Sequence, residues 1–387
     1  MNPLHTRIGI LGGGQLGRMM IEESLRLNLT FNILENDPNC PCASICDQLI
    51  IGSLQDEAAI RKLAETSDVL SYEIEHVNTE ALLKLEAEGK TIIPSPKVLQ
   101  IIQDKGLQKQ FFLDHHIPTS AFVLVKNKNE WASALGQINS EKFAAKTRKD
   151  GYDGKGVMLL HKSNILTDLD SIPFEQACVI EEFIPCQKEL SVIVARDRNG
   201  NTLCYPPVEM EFDPVANLVT FLLCPANIDK SIEAKAEEIA IKAVNALQGI
   251  GIFAVEMFLT NDNNILVNEI APRVHNSGHH SIEACYTSQF EQLVRILANI
   301  PLGSTKSVLP AVMINLLGAD DFSGPYQLEG LEEISVMEGV YVHLYGKKES
   351  KPKRKMGHIT VLAETAKEAH EKAQKVNALI SFKPTNN

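Results

Sequence analysis

Nowhere in its 387 residues does the chain carry a G-x-x-x-x-G-K-[ST] run, which excludes a P-loop nucleotidase. It also lacks an apolar run long enough to cross a bilayer, and no recognisable leader precedes a first strand that begins at Ile8. The expectation is a cytoplasmic protein without membrane contact. A basic surplus is missing as well. The 37 Lys and Arg stand against 49 Asp and Glu, a net charge of −12, which argues against nucleic-acid binding and leaves room only for local basic pockets. The eight cysteines are scattered. Only Cys40, Cys42 and Cys46 cluster, with no second Cys or His group at zinc spacing, so reduced thiols are expected. Internal repeats, low-complexity tracts and coiled-coil heptads are absent. What remains is an ordinary globular composition, 44% hydrophobic and 22% charged, over a length suited to two or three domains.

The densest chemistry lies between Gly251 and Ser281. Two apolar runs, Ile252–Leu259 and Ile265–Ile270, separated by Thr260–Asn264, read as a β-hairpin. Each carries one acid where an apolar residue is due, Glu256 and Glu269, and folding brings the two level to within a residue of register. Neighbouring carboxylates repel and lose hydration unless a cation sits between them. With Asn268 adjoining, such an all-oxygen set suits Mg²⁺ held partly by substrate phosphates; the alternative is an edge hairpin whose acids face water. Arg273, His275, Asn276, Ser277, Gly278, His279 and His280 follow at once, a loop with more anion donors than packing needs.

Upstream, the strand Thr6–Leu11 runs into Gly12, Gly14 and Gly17, a G-x-G-x-x-G match opening a helix. Its amides and helix N-terminus suit a phosphate, and on this motif alone the chain reads as a dehydrogenase; a tight turn that brings helix and sheet together is the alternative. Strands Thr30–Glu35, Gln48–Gly52 and Val69–Tyr72 alternate with helices Glu57–Glu65 and Thr79–Glu88, which predicts a doubly wound parallel sheet. Glu73, Glu75 and His76 lie beyond a strand's carboxyl end, where such sheets bind ligands.

Pro94-Ser95-Pro96 marks a boundary, and one helix, Lys97–Phe112, is expected after it. Strands follow at Ala121–Val125 and Phe143–Thr147, the latter carrying Lys146. Gly151, Gly154 and Gly156 then sit between that strand and Val157–Leu160, not between a strand and a helix. This reads as a hairpin flap over phosphates, with Lys155 adding charge. Glu181, Glu182 and Glu189 offer acceptors to an adenine amine or ribose hydroxyls, or are solvated edge residues. Helices are expected at Asp229–Leu247 and Ser288–Asn299. Leu331–Glu333 with Val340–Leu344 suggest a small terminal β layer. Six basic residues, Lys347, Lys348, Lys351, Lys353, Arg354 and Lys355, then precede a strand at Met356–Leu362, as a solvated loop or a phosphate clamp. The expected parts are residues 1–96, an α/β substrate-binding domain; 97–195, carrying the flap; and 196–387, with the carboxylate hairpin and the terminal β layer. In this order they describe carboxyl activation by ATP, where positioning and charge neutralisation carry phosphoryl transfer.

The stretches GILGGGQLGRMM, YEIEHV, PSPKVLQIIQDKGLQK, AAKTRKDGYDGKGV, EEFIPCQKELSVIV, FAVEMF, NEIAPRVHNSGHHS and KPKRKMGH resemble, in order, those of the ATP-grasp superfamily and within it the 5-(carboxyamino)imidazole ribonucleotide synthases. The resemblance implies an ATP-grasp fold, mixed α/β and α+β, with an N-terminal doubly wound parallel-sheet domain and a small C-terminal β-rich domain. It implies ATP- and bicarbonate-dependent carboxylation of aminoimidazole ribonucleotide through carboxyphosphate, in purine biosynthesis, with Mg²⁺ (or Mn²⁺) as the metal. By the same resemblance Lys105, Lys146, Gly151, Tyr152, Asp153, Gly154, Lys155, Gly156 and Val157 serve ATP, with Glu181, Glu182, Phe183, Ile184 and Glu189 around adenosine. Glu256, Asn268 and Glu269 serve Mg²⁺–ATP. Arg273, His275, Asn276, Ser277 and Gly278, joined by Lys353, form the catalytic group for bicarbonate. Gln15, Leu16, Glu73, Tyr152, Asp153, Arg273, Lys348, Arg354 and Lys355 form the ribonucleotide site. A homodimer and coupling to the mutase of the next step are implied too. Two departures stand out: Lys105 replaces an arginine, keeping charge without bidentate geometry, and Val208–Asp213 lacks a histidine many members carry. Rival readings are another ATP-grasp ligase, such as the formate-dependent glycinamide ribonucleotide transformylase or a biotin carboxylase, and an inactive nucleotide-binding module.

Overall fold

Strands Arg7–Leu11, Thr30–Glu35, Gln48–Ile51, Val69–Tyr72 and Thr91–Ile92 pair in parallel throughout. The computed structural model describes residues 5–149, 156–168, 172–212 and 219–385. Arg7–Leu11 is central, with Thr30–Glu35 and then Gln48–Ile51 on one side and Val69–Tyr72 and then Thr91–Ile92 on the other. These strands are almost wholly apolar because both faces are covered. Ile8, Ile10, Phe31 and Ile33 pack on Met19, Met20 and Ile21 of the helix Gln15–Ser24. Leu34, Leu70 and Tyr72 pack on Ile60 and Leu63 of one helix and Leu82 and Leu85 of another. The order reverses at Arg7–Leu11, and the crevice lies where its carboxyl end meets that of Val69–Tyr72.

The expected helix Lys97–Phe112 is two helices, Pro96–Gln103 and Lys105–Asp114. Asp104 breaks it. Its backbone is extended (φ −111°, ψ 104°), its carboxylate accepts from the N–H of Gly106 and Leu107, and Arg148 clamps the same carboxylate with two bonds of 2.7 Å. The consequence is that Lys105 opens a helix instead of lying within one.

Phe122–Val125, Cys178–Glu182, Lys142–Thr147 and Val157–His161 form a four-stranded antiparallel sheet in that spatial order. It closes a small core around Trp131, Phe143 and Ile180. A nine-stranded antiparallel sheet supplies the rest. It runs from Ile265–Ala271 through Gly251–Thr260, Cys186–Arg196, Val208–Phe212 and Val219–Cys224 to Ala311–Leu317, Lys355–Leu362 and Val340–Leu344, with Thr202–Cys204 beside Cys186–Arg196. Val340–Leu344 thus extends this sheet, while Tyr326–Glu329 and Ser381–Pro384 pair as a separate two-stranded sheet, and Leu331–Ser335 is a short helix, not a strand. Its start at Gly330, left-handed at φ 81° and pressed against the Leu379 carbonyl, forces that turn.

The outer strand Val340–Leu344 is tied back to the helix Ser281–Ala284 by His343, whose Nε2 lies 2.6 Å from Glu283 Oε1. The His343 ring stacks flat on His358, 4.3 Å between centroids. Burial alone would lower the His343 pKa, but the hydrogen bond and charge of Glu283, with Glu22 and Glu23 behind it, outweigh burial and raise it. A raised folded-state value means that the stabilisation is complete below the unfolded value, about 6.5, and fades as pH climbs through the folded one. His343→Phe keeps the stack and removes the charge. It should cost about 1 kcal/mol at pH 6 and clearly less at pH 9, read from denaturant midpoints at the two pH values. Equal losses at both would rule out a charged contact.

Candidate active site

The hairpin Gly251–Thr260/Ile265–Ala271 places Glu256 directly opposite Glu269. A bulge follows, since Met257 pairs with Val267, and it leaves Asn268 beside the pair and out of the ladder. Glu269 Oε2 accepts from Lys105 Nζ at 2.6 Å. That lysine is the chief cause holding the Glu269 carboxyl below its ordinary range, while burial and the Glu269 charge push Glu256 up. A half-buried acid driven toward its neutral form by a neighbouring acid is the electrostatic signature of a place for a cation. Among the described residues no three His, Cys, Asp or Glu side chains converge to ligate a metal. Two carboxylates and an amide oxygen fit an ion that takes its remaining ligands from phosphate and water, as Mg²⁺ does.

Lys146, near the end of Lys142–Thr147, donates to Asn268 Oδ1 at 2.9 Å and sits 3.1 Å from Glu181 Oε1. Glu181 is 2% exposed. Its other oxygen meets Lys109 Nζ at 2.8 Å and Ser120 Oγ at 2.8 Å. Burial by itself would raise Glu181, yet Lys146 and Lys109 carry it down to about 2. Lys109 donates also to Thr119 and Ser120, and burial draws its own pKa down to about 8 against the pull of Glu181. The Glu181 carboxylate is therefore engaged by two lysines and a serine. Glu182, Phe183, Ile184 and Glu189 line the neighbouring surface, all half-buried, with Lys142 Nζ 4.0 Å above the Phe183 ring. Gly151, Tyr152, Asp153, Gly154 and Lys155 lie outside the described residues. Val157 pairs with Lys146, and Gly156, at φ 76°, accepts from the Thr147 N–H through its carbonyl.

The loop after the hairpin is tightly organised. His275 Nε2 stands 3.6 Å from Glu256 Oε1, and its Nδ1 lies 2.9 Å from Ser277 Oγ, which in turn meets Ser191 Oγ at 2.8 Å. Asn276 and Asn315 exchange amide bonds of 2.8 and 3.0 Å, joining the loop to Ala311–Leu317. Gly278 is buried beneath it. His279 and His280 are buried, and burial keeps both neutral, so they contribute packing instead of charge. Arg273 reaches across to the N-terminal sheet, 3.1 Å from Glu75, and its buried Nε has no partner among the described residues.

Arg273 thereby connects the carboxylate hairpin to the crevice of the parallel sheet. There the first glycine turn differs from its phosphate-binding expectation. The N–H groups of Gly14 and Gly17 donate to Glu73, the latter at 2.5 Å, and Gly13 N–H donates to Glu35 at 3.0 Å. Protein carboxylates occupy the amides that a dinucleotide phosphate would use. Gly12 must be glycine: its φ is +102°, and a Cβ would meet Glu73 Cγ at 2.5 Å. Gln15 and Leu16, half-buried, open the helix just beyond. The basic run closes on this crevice from the other side. Lys348 Nζ donates to Asn39 Oδ1 at 3.0 Å, Lys347 and Arg354 donate to carbonyls of the run itself, and the chain turns at Lys353 with φ 60°. Lys355 opens the strand Lys355–Leu362. Lys109, Ser191, Gln289 and Asn315 carry no local sequence signal, and their roles appear only once the elements are assembled.

Residues 5–103 match the ribonucleotide synthetase preATP-grasp domain family, 110–290 the ATP-grasp domain family, and 311–372 the phosphoribosylaminoimidazole carboxylase C-terminal domain family. A phosphoribosylaminoimidazole carboxylase of Ogataea methanolica is 37% identical over 366 residues, 92% of this chain and 66% of that protein, so the chain spans just under two thirds of that relative. The crystal structure of N5-carboxyaminoimidazole ribonucleotide synthetase from Thermotoga maritima is 41% identical with a TM-score of 0.89, over 98% of this chain and 100% of that one. The synthase of Aspergillus clavatus, solved with ADP and 5-aminoimidazole ribonucleotide, is 34% identical with a TM-score of 0.87, over 97% and 98%.

Proposed function

Because the chain belongs to the N5-carboxyaminoimidazole ribonucleotide synthase family of ATP-grasp ligases, we propose that it carboxylates 5-aminoimidazole ribonucleotide with ATP and bicarbonate in purine biosynthesis. Bicarbonate takes the γ-phosphoryl group of ATP, giving ADP and carboxyphosphate. The exocyclic amine of the ribonucleotide then takes the carboxyl group, releasing phosphate and a proton. The observation that supports this best is one unbroken line of contacts: Lys146 to Asn268, Lys105 to Glu269, His275 beside Glu256, and Arg273 to Glu75 at the sheet crevice. Nucleotide, carboxyl and ribonucleotide positions are contiguous along it.

Glu256, Glu269 and Asn268 are the residues that would hold Mg²⁺, which supplies charge neutralisation at the β- and γ-phosphates when bound. Lys105 and Lys146 sit where they balance phosphate charge, and Glu181 with Lys109 keeps Lys146 in place. Glu189 faces the ribose, and Gly151–Val157 is the flap. Arg273, His275, Asn276, Ser277, Gly278 and Lys353 receive bicarbonate and the carboxyphosphate. Gln15, Glu73, Lys348, Arg354 and Lys355 receive the ribonucleotide, Glu73 through the turn it braces. Among the described residues no helix is long and apolar enough to cross a membrane, and the proposal places the enzyme in the cytoplasm as a homodimer that passes its labile product to a mutase.

The test is ADP release with Mg²⁺ and bicarbonate, with and without 5-aminoimidazole ribonucleotide. Stimulation of at least about tenfold by the ribonucleotide is expected. Turnover that instead needs glycinamide ribonucleotide and formate would move the chain to a neighbouring ligase, and no turnover with either would leave a binding module.

A further inference from the structure

Gln289 contacts none of the acids or lysines of the site, yet its side chain is 0% exposed. Its Oε1 accepts the His275 backbone N–H at 2.9 Å, and its Nε2 donates to the His275 carbonyl at 2.7 Å. One carboxamide thus satisfies both main-chain groups of one loop residue, as a neighbouring strand would in a sheet. The surroundings are shaped to admit it. A Cβ at Gly278 would stand 2.5 Å from Gln289 Cδ and Oε1, so the loop is glycine where the amide passes. Ser281 Oγ accepts the Gln289 N–H at 2.9 Å and donates to the Gly278 carbonyl at 2.5 Å, closing the ring of bonds. The amide is also anchored from behind. Gln289 opens the helix Gln289–Leu297, whose Phe290, Leu293, Val294 and Ile296 are buried in the same core as Met20 and Ile8 of the N-terminal part.

We propose that Gln289 is a positioning residue for the anion loop, holding His275 to Gly278 in the posture that receives bicarbonate and carboxyphosphate. The inference rests on the function proposed above. Its physical content is that one contact demands an acceptor and the other a donor, which glutamine supplies and neither leucine nor an ionised glutamate does. The ATP side of the site is built from Lys105, Lys146, Glu256 and Glu269, on strands and a helix that Gln289 does not touch through its side chain. Loss of Gln289 therefore separates the two substrates: bicarbonate handling fails and nucleotide binding does not.

The experiment uses the full chain with Gln289→Leu and Gln289→Glu. KM for bicarbonate and for ATP are measured with saturating ribonucleotide, and amide hydrogen exchange of the 274–280 segment is followed without substrates. In both variants kcat/KM for bicarbonate should fall roughly 10- to 100-fold, as misplacement of a binding loop does. KM for ATP should stay within about twofold, and the His275 amide should exchange faster in the leucine variant, which loses its acceptor. The glutamate variant keeps the size and one bond, so it reports even if the leucine variant does not fold. Unchanged bicarbonate kinetics, or parallel rises in both KM values, would overturn the proposal. If the native chain does not act on the ribonucleotide, the proposed function falls, and exchange alone decides: unaltered protection of His275 in both variants refutes the positioning role.

Discussion

Glu269→Gln is expected to lower ribonucleotide-dependent ADP release on the order of 10³-fold while the fold persists. Glu269 is level with Glu256 across the hairpin, and Lys105, 2.6 Å away, keeps it anionic at any working pH. The amide preserves volume and one acceptor oxygen. It removes half of the carboxylate charge available to a divalent cation and leaves Lys105 without its partner. Stability should change little, because the acid stands at the cleft, 39% exposed, and its loss relieves the repulsion that raises Glu256. The measurement is a coupled ADP assay beside a thermal melt. Activity retained above about a tenth of native would take the metal role away from Glu269.

Lys109→Met should destabilise the fold by about 3 kcal/mol. Lys109 and Glu181 are each only 3% exposed as side chains, and the ammonium uses Thr119, Ser120 and Glu181 as partners. Methionine fills the space but leaves a buried carboxylate balanced by Lys146 alone, and Ser120 has to reorient. The value stands at the low end for a broken buried pair because that second cation remains. Denaturant unfolding checks it, and the double variant Lys109→Met with Glu181→Gln should recover part of the loss, since neither buried charge is then left alone. A single variant within about 0.5 kcal/mol of native would show the network to be dispensable. Activity is expected to fall too, because Glu181 no longer fixes Lys146 against Asn268.

The parts of this site that were legible in the sequence broke a local rule. Glu256 and Glu269 interrupt apolar strands, and the register pairs them directly. The parallel sheet was legible from alternation of apolar strands and amphipathic helices. What stayed hidden obeyed every local rule. Lys109 is an unremarkable lysine in a helix, and Gln289 an unremarkable first residue of one; each matters through partners 72 and 14 residues away. The glycine turn left two readings open. Its pattern reports backbone shape, and shape alone does not reveal that Glu73 and Glu35 of the same chain take the amides. Asp104 was missed because the apolar period continues across it, although an aspartate ahead of a lysine and a glycine is a helix-start signal. Leu331–Ser335 is too short for periodicity to separate helix from strand.

The way Ala311–Leu317 continues the central sheet bears on how this chain can be divided. Val219–Cys224 has Val208–Phe212 on one side and Ala311–Leu317 on the other. Cut away the segment after Leu309, and a strand that includes Phe221, Leu222 and Leu223 becomes a bare border with a row of unanswered amides and carbonyls, a template for the next molecule. The terminal portion therefore acts as a hem for the central sheet. A chain trimmed to its first 309 residues would trade solubility for brevity.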